Sequence, residues 1–154
     1  MDIQIDTREK AHAIQKILCT FNALGVKYYS SKLYVGDYMS LDNPRLVIDR
    51  KQDLNELCGN VCQQHDRFIA ELKRAQASGI KLVILCEHGR GITSLDDVKH
   101  WVNPRLKKSP KAISGPQLHK ILSTIRLRYD VDFIFCTKDC TGGKIINILG
   151  GKGA

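Results

Sequence analysis

A short apolar run near the middle of the chain constrains the fold more than any other sequence feature. Residues 81–87 read Lys-Leu-Val-Ile-Leu-Cys-Glu, so the interior of the run is apolar throughout and does not alternate with polar residues. This pattern is typical of a parallel strand that is covered on both faces. It predicts the central strand of an α/β sheet, and a chain of 154 residues has room for one such domain.

Strand and helix patterns alternate on either side of this run. The other predicted strands are short and rich in β-forming residues, at 3–6, 26–33, 34–41, 46–50 and 131–137. The predicted helices carry apolar residues at helical spacing, at 14–24, 53–78, 118–125 and 145–149. The three strands between 26 and 50 look like an antiparallel meander. We expect an α/β domain over residues 1–149, a mixed central sheet flanked by helices on both faces, followed by a flexible tail at 150–154.

The charge balance is basic, with 24 Lys and Arg against 16 Asp and Glu and a formal net charge of +8. This favours a polyanionic partner such as nucleic acid, although it is also compatible with solubility alone. The chain has no run of about 18 apolar residues, which excludes a spanning helix. The first residues lack the features of a secretory signal, so we expect a cytoplasmic location, and the small size is consistent with a phage or prokaryotic origin.

Acidic residues occur where predicted strands begin and end. Asp37 and Asp49 belong to adjacent predicted strands, so their carboxylates can converge on a hard cation such as Mg²⁺ or Mn²⁺. Lys51 lies two residues beyond Asp49, on the same face of the strand. A metal ion with a lysine beside it is suited to phosphodiester hydrolysis. The bare pattern also fits a turn at Asp37 and a solvated charged face at 49–51.

Three motifs in order make the pattern more specific. They are Ile-Asp-Thr-Arg-Glu at 5–9, Val-Gly-Asp-Tyr at 35–38 and Val-Ile-Asp-Arg-Lys at 47–51. Together they resemble the nuclease domain of the XPF/Hef-type structure-selective endonucleases, whose signature is Gly-Asp, a variable gap and Glu-Arg-Lys-x-x-x-Asp, preceded by Asp-x-Arg-Glu. The resemblance spans most of the chain. It implies a restriction-endonuclease-like α/β core that uses Mg²⁺ or Mn²⁺ to cut DNA at branches, flaps or junctions.

The resemblance also implies roles for individual residues. Asp37 and Asp49 match the metal-binding acids, and Lys51 matches the catalytic lysine. Asp6 and Glu9 match acids at the end of the first strand, which would serve a second metal or position the attacking water.

Arginines of the same motifs match supporting positions, and two positions depart from the family signature. Arg8 and Arg50 match residues that support the site or contact phosphate, and Arg67 on the following helix could approach the site. Asp49 stands where the family has Glu, and Asn55 stands where it has the final Asp. Asp53 and Glu56 lie close by and could partly substitute for the missing acid.

These departures keep a second hypothesis open, a catalytically weak or inactive DNA-binding partner with the same fold. The family pairs its nuclease domains, so the resemblance also implies a homodimer. XPF-type enzymes usually add a helix-hairpin-helix module, which this sequence does not contain. We therefore expect substrate selection to come from the domain surface or from a partner.

A basic stretch without any acid follows the central strand, between residues 103 and 128. Its first four basic residues could contact DNA phosphates from a flexible loop; they are Arg105, Lys107, Lys108 and Lys111. Trp101 beside them could stack on an unpaired base. The alternative is a solvated basic loop with Trp101 as its buried anchor.

Four cysteines form two pairs with equal spacing, which suggests a zinc site as a further alternative. The pairs are Cys58 with Cys62 and Cys136 with Cys140. Four thiolates can hold zinc tetrahedrally. However, three of the four fall on apolar positions of predicted elements, so burial as small hydrophobic residues explains them without a metal.

Overall fold

A six-stranded mixed sheet in the order β2-β1-β3-β4-β5-β6 organises the computed structural model, which describes residues 1–151. The strands are β1 (Asp2–Ile5), β2 (Lys27–Ser30), β3 (Tyr38–Ser40), β4 (Asn43–Lys51), β5 (Lys81–Cys86) and β6 (Asp132–Phe135). The helices are α1 (Gln15–Ala23), α2 (Leu54–Val61), α3 (His65–Ala77), α4 (Gly115–Tyr129) and α5 (Thr141–Leu149). Short 3-10 turns lie at Ala11–Ala13, Asp96–His100 and Pro104–Lys107.

Strand β5 lies inside the sheet and pairs in parallel with β4 and β6. Its side chains alternate between two apolar layers, with Leu82, Ile84 and Cys86 in one layer and Val83 and Leu85 in the other. Because each parallel pairing needs a crossover, α2 and α3 connect β4 to β5, and α4 connects β5 to β6. The apolar run therefore correctly predicted an interior strand covered on both faces and the α/β class, although β5 lies next to the edge strand β6 and not in the middle of the sheet.

The antiparallel meander predicted between residues 26 and 50 is only partly present. Strands β3 and β4 form an antiparallel hairpin, but β2 is an edge strand that pairs in parallel with β1. Helix α1 is the crossover between β1 and β2. Residues 31–37 form a loop at the end of β1, where the Asp6 carboxylate accepts a hydrogen bond from the backbone N–H of Leu33 at 2.7 Å. This contact with a buried side chain could not be read from local sequence patterns.

The helix predicted over 53–78 is two helices. Asp53 caps α2 by accepting a hydrogen bond from the N–H of Glu56 at 2.8 Å, and the chain leaves helical geometry between α2 and α3. Helix α4 begins with a capping box in which Ser114 and Gln117 each accept from the backbone of the other. At the C-terminus, α5 ends at Leu149, and Gly150 and Gly151 follow it in a turn. The rest of the predicted tail, residues 152–154, lies outside the described residues.

The burial of individual side chains corrects two interpretations of the sequence, base stacking by Trp101 and a zinc site of four cysteines. Trp101 is only 7% exposed and belongs to the core, so it is the anchor of its loop and does not offer a face to a base. Cys58 and Cys62 pack in one apolar layer, whereas Cys136 packs in the other and Cys140 is exposed. The four thiols therefore do not surround one point, and a shared zinc site is wrong. No helix among residues 1–151 is long and apolar enough to cross a bilayer.

Candidate active site

A solvent-open cavity of about 500 Å³ lies at the edge of the sheet where β1 and β4 end and β3 begins. Its polar lining comes from the residue before β3, the last residues of β4 and one face of α2. A smaller cavity of about 200 Å³ continues beside it along α3. The motifs at residues 5–9, 35–38 and 47–51 meet at this edge.

Gly36 sets the position of Asp37 through a turn that other residues would strain. Its φ is +69°, and a Cβ atom here would lie 2.4 Å from Cγ1 of Val47 and 3.0 Å from the carbonyl oxygen of Ile48. Asp37 is then held by two backbone groups of β4. Its N–H donates to the Ile48 carbonyl at 2.8 Å, and its Oδ2 accepts from the N–H of Arg50 at 2.8 Å.

Asp37 and Asp49 face one another in the floor of the cavity. The two carboxyl groups are buried and line the same cavity. Burial, followed by the charge of Asp49, raises the pKa of Asp37 well above its usual range. Two neighbouring buried carboxylates repel each other unless a proton or a cation compensates their charge.

Lys51 is the nearest cation to this pair. Asp49 and Lys51 share one face of β4 because side chains alternate along a strand. The Lys51 Nζ is 3.1 Å from Oδ2 of Asp49. Burial lowers the pKa of Lys51, but the interaction with Asp49 and the charges of Glu56 and Asp37 together outweigh this effect and raise the pKa overall. The amine is therefore charged at neutral pH, and its Nζ also lies 5.8 Å from the centre of the Phe68 ring.

The Asp6 carboxylate holds the loop that precedes Gly36 through hydrogen bonds. Its Oδ1 accepts from the N–H of Leu33, and its Oδ2 accepts from both the N–H and the Nε of Arg8, at 2.9 and 2.7 Å. Burial raises the pKa of Asp6, but these hydrogen bonds lower it further than burial raises it. Arg8 is held in turn against the Gly36 carbonyl at 3.0 Å and lies 3.9 Å from Oδ1 of Asp37.

Arg50 points to the opposite face of β4. Its side chain is only 7% exposed and donates to both carboxylate oxygens of Glu9, at 2.6 and 2.9 Å. It also donates to Glu87, which accepts a further hydrogen bond from the hydroxyl of Thr141 at 2.5 Å. The geometry therefore favours support of the site over phosphate contact, because the Arg50 side chain is only 7% exposed and its guanidinium already donates to Glu9 and Glu87. Glu9 takes part in this network and does not line the cavity.

The remaining predicted basic residues are exposed. Arg67 lies on α3 at the rim of the smaller cavity. The basic loop carries four exposed side chains, Arg105, Lys107, Lys108 and Lys111. Asn103 anchors this loop near α2, with its amide donating to the carbonyl of Ile113 at 2.8 Å and lying 4.0 Å from Sγ of Cys58.

One acidic residue at the cavity was missed by the sequence motifs. Glu71 on α3 lines the smaller cavity together with Asp49, and burial followed by the charge of Asp49 raises the pKa of its carboxyl group. A helical signal could have identified it, because Arg67 and Glu71 are four residues apart and share one face of the helix. Asn55, where the family signature has its final Asp, lines a different cavity with Gln52 and His88.

The family model for the ERCC4 domain matches residues 5–147, a range that contains all three motifs. The chain belongs to the ERCC4 domain family. This confirms the resemblance to XPF-type nuclease domains. No curated protein matches the sequence at a significant level.

Solved structures similar to this ERCC4 domain show the same fold. They include XPF from Aeropyrum pernix, with a TM-score of 0.69, 17% identity and 97% of this chain covered. The complex of XPF from Aeropyrum pernix with DNA gives a TM-score of 0.67 at the same identity and coverage. The chain spans 63% of the length of each of these chains. At this identity the likeness concerns the fold, which is the predicted restriction-endonuclease-like architecture.

The donors of the ERCC4 site fit a hard divalent cation. All the acidic side chains at the cavity offer oxygen, and Oδ2 of Asp49 is buried without a hydrogen-bond partner among residues 1–151. Its 3.1 Å contact with Lys51 is an ion pair whose geometry is too poor for a hydrogen bond. Within the same described range, no three His, Cys, Asp or Glu side chains are already arranged as a ligand set for a metal. The fit therefore rests on the paired acids and the unpartnered oxygen.

Proposed function

We propose that this ERCC4 domain is a divalent-metal-dependent endonuclease that hydrolyses phosphodiester bonds in DNA. The observation that carries the proposal is the facing pair of buried carboxyl groups, Asp37 and Asp49, with Lys51 3.1 Å from Asp49 in a cavity open to solvent. Asp37 and Asp49 would hold Mg²⁺ or Mn²⁺. A cation bound there would polarise a phosphoryl oxygen and lower the pKa of a water molecule.

The protein side chains then have distinct tasks. Hydrolysis forms a bond from a water oxygen to phosphorus and breaks the phosphorus bond to the leaving oxygen, so negative charge develops on the phosphoryl oxygens. Lys51 carries a positive charge beside this position. Its raised pKa makes it a hydrogen-bond donor to a phosphoryl oxygen or to the attacking water, and a poor general base.

Other motif residues position the site or attract DNA. Asp6 holds Arg8 against the turn at Gly36, and Arg50 and Glu9 support Asp37 from behind β4. These contacts support positioning roles for Asp6 and Glu9 within the catalytic constellation. The half-exposed Arg8, together with the exposed Arg67 and the four basic residues of the loop at 105–111, would contact DNA phosphates.

For the substrate we propose branched, flapped or junction DNA. The support is the ERCC4 family membership and the net charge of +8, which attracts nucleic acid. Pairing of two copies through the nuclease domain and an intracellular, cytoplasmic location both stay predictions. Sedimentation at several protein concentrations checks the first of these, because a homodimer dissociates on dilution.

A DNA-binding partner without catalytic activity is the second candidate. It is favoured by the shorter carboxylate at Asp49, where the family signature has Glu, and by Asn55, which offers no charge and does not line the acidic cavity. The two candidates differ in one observable property. The binding partner would bind DNA with a strong dependence on salt but cut it under no divalent cation.

The experiment compares labelled flap, fork and four-way junction DNA with linear duplex of the same sequence, in Mg²⁺, in Mn²⁺ and in EDTA. The matched variants are Asp37→Asn and Asp130→Asn, each of which removes one carboxylate. Asp130 lies before β6, at the opposite edge of the sheet, and pairs on the surface with Lys81. We expect wild type and Asp130→Asn to cut branched DNA in a cation-dependent manner and Asp37→Asn to be inactive. Equal, EDTA-insensitive cutting by all three proteins would show that the activity belongs to a contaminant.

A further inference from the structure

Glu71 is an acidic side chain of α3 that lines the smaller cavity. Its side chain is only 15% exposed although this cavity is open to solvent. It shares the cavity with Asp49 and Lys51, and burial together with the charge of Asp49 raises the pKa of its carboxyl group. Its ion pair with Arg74 is long, at 3.8 Å, which is too far for a hydrogen bond. Glu71 therefore places a buried carboxyl group beside another acid, with only a distant ion-pair partner.

The charges around the cavity explain why such an arrangement is useful. Lys51 pairs with Asp49, whereas the half-exposed Arg8 pairs more closely with Asp6 than with Asp37. The attraction for a divalent ion grows with the excess of negative charge around its site. Glu71 adds a further buried negative charge to Asp37 and Asp49. At the rim, the exposed Glu56 and Arg67 have opposite charges and are screened by water.

Neither of the other nearby candidates can supply this charge. Asp53 lines the separate cavity that also contains Asn55, and its carboxylate caps α2. Glu56 is exposed, and its Oε1 accepts a hydrogen bond from the N–H of Gln52 at 3.1 Å. An independent feature marks the same point as a place for a ligand. The buried Oδ2 of Asp49 has no hydrogen-bond partner in the described part of the chain and lies 3.1 Å from Nζ of Lys51.

We infer that Glu71 is a cation-binding residue, whose carboxylate provides the third negative charge of the metal site and replaces the acid that position 55 lacks. The inference rests on the proposed metal-dependent function. It requires the charge of Glu71 next to Asp49. It does not require a complete ligand set before the ion binds.

The experiment measures Mn²⁺ binding to the full chain without DNA, by titration calorimetry or by the electron paramagnetic resonance signal of free Mn²⁺. The variants are Glu71→Gln, which keeps the shape and removes the charge, Glu71→Asp, which keeps the charge, and Asp66→Asn. Asp66 is a fully exposed acid on the same helix, so its variant controls for the loss of one negative charge from α3. Circular dichroism and thermal melting check that each variant folds.

We expect Glu71→Gln to bind Mn²⁺ about 10- to 100-fold more weakly than wild type, the loss seen when groups around metal ligands are removed. Glu71→Asp should bind more tightly than Glu71→Gln, and Asp66→Asn should bind as wild type does. If wild type binds Mn²⁺ and Glu71→Gln binds it equally well, or if Glu71→Asp is as weak as Glu71→Gln, the inference about Glu71 is wrong while the proposed function stands. If wild type binds no Mn²⁺ and cuts no DNA, the proposed function fails and takes the inference with it.

Discussion

Replacing Arg50 by methionine tests whether the motif arginine stabilises the fold or contacts DNA. In the structure its guanidinium lies between Glu9 and Glu87, and all three side chains are at most 10% exposed. Methionine has similar length and no charge, so the variant leaves two buried carboxylates without their cation. Burying an unpaired charge is costly because neither water nor a counter-ion replaces the lost partner.

The size of the effect follows from these contacts. Removing one partner of a buried ion pair destabilises a protein by about 3 to 5 kcal/mol. Total stabilities of single domains are about 5 to 15 kcal/mol, so Arg50→Met should lose a large part of the free energy of unfolding. For a chain of this length, the loss corresponds to a fall in the melting temperature of about 6 to 20 °C.

The assay is urea unfolding of Arg50→Met and of a triple variant in which Glu9→Gln and Glu87→Gln accompany it. The triple variant should recover much of the lost stability, because it no longer buries unpaired charges. Arg67→Met is the matched control, since Arg67 is exposed at the rim, and it should weaken DNA binding with little change in stability. If Arg50→Met unfolds at the wild-type urea concentration but binds DNA more weakly, Arg50 contacts phosphate and the structural reasoning is wrong.

Four further predictions concern the turn, the acidic pair and the basic loop. Gly36→Ala should destabilise the domain by about 2 to 5 kcal/mol in urea unfolding, because it combines backbone strain at positive φ with overpacking against Val47. Gly25→Ala is the control and should reduce the stability less, since Gly25 also has positive φ but an added Cβ meets no atom within 4 Å. Because the pKa of Asp37 is raised, a cation that binds there must displace a proton. The Mn²⁺ affinity measured by calorimetry should therefore increase with pH, and Asp37→Asn should lose this dependence. The raised pKa of Asp37 also stabilises the metal-free fold at a pH below the pKa of an unfolded aspartate, and this contribution is lost as the pH rises through the pKa of the folded state. In EDTA, the melting temperature of wild type relative to that of Asp37→Asn should therefore fall with increasing pH. Replacing all four basic residues of the loop by alanine should reduce the slope of log binding constant against log salt by about 3 to 4, and an unchanged slope would show that Arg105, Lys107, Lys108 and Lys111 do not contact DNA.

Local sequence patterns predicted the parts of the fold that depend on periodicity. The apolar run at 82–86 indicated the buried central strand, and alternation along β4 placed Asp49 and Lys51 on one face, as the structure has them. The position of β2 could not be read in this way, because it depends on the crossover through α1 and on the contact between Asp6 and Leu33. Pairings between distant residues carry no signal in local periodicity.

The same distinction applies to the candidate site. Asp37, Asp49 and Lys51 belong to ordered motifs, so the sequence alone pointed to them. Glu71 comes from a helix more than twenty residues beyond Asp49 in the numbering and reaches the cavity only because α3 packs beside the end of β4. Arg50 shows the opposite difficulty, since it lies within a motif and yet faces away from the cavity.

The last three residues of β4 place charged side chains in two different environments, one on each face of the strand. Moving these residues by one position along the strand would bring Arg50 into the acidic cavity and would turn Asp49 and Lys51 to the face where Arg50 now pairs with Glu9 and Glu87, since a shift of one residue exchanges the faces of a strand. Insertions and deletions should therefore be tolerated in the turn at residues 41–42 between β3 and β4, but not between Ile48 and Lys51. Relatives of this chain are expected to differ in the length of that turn while keeping an unbroken step of acid, Arg and Lys.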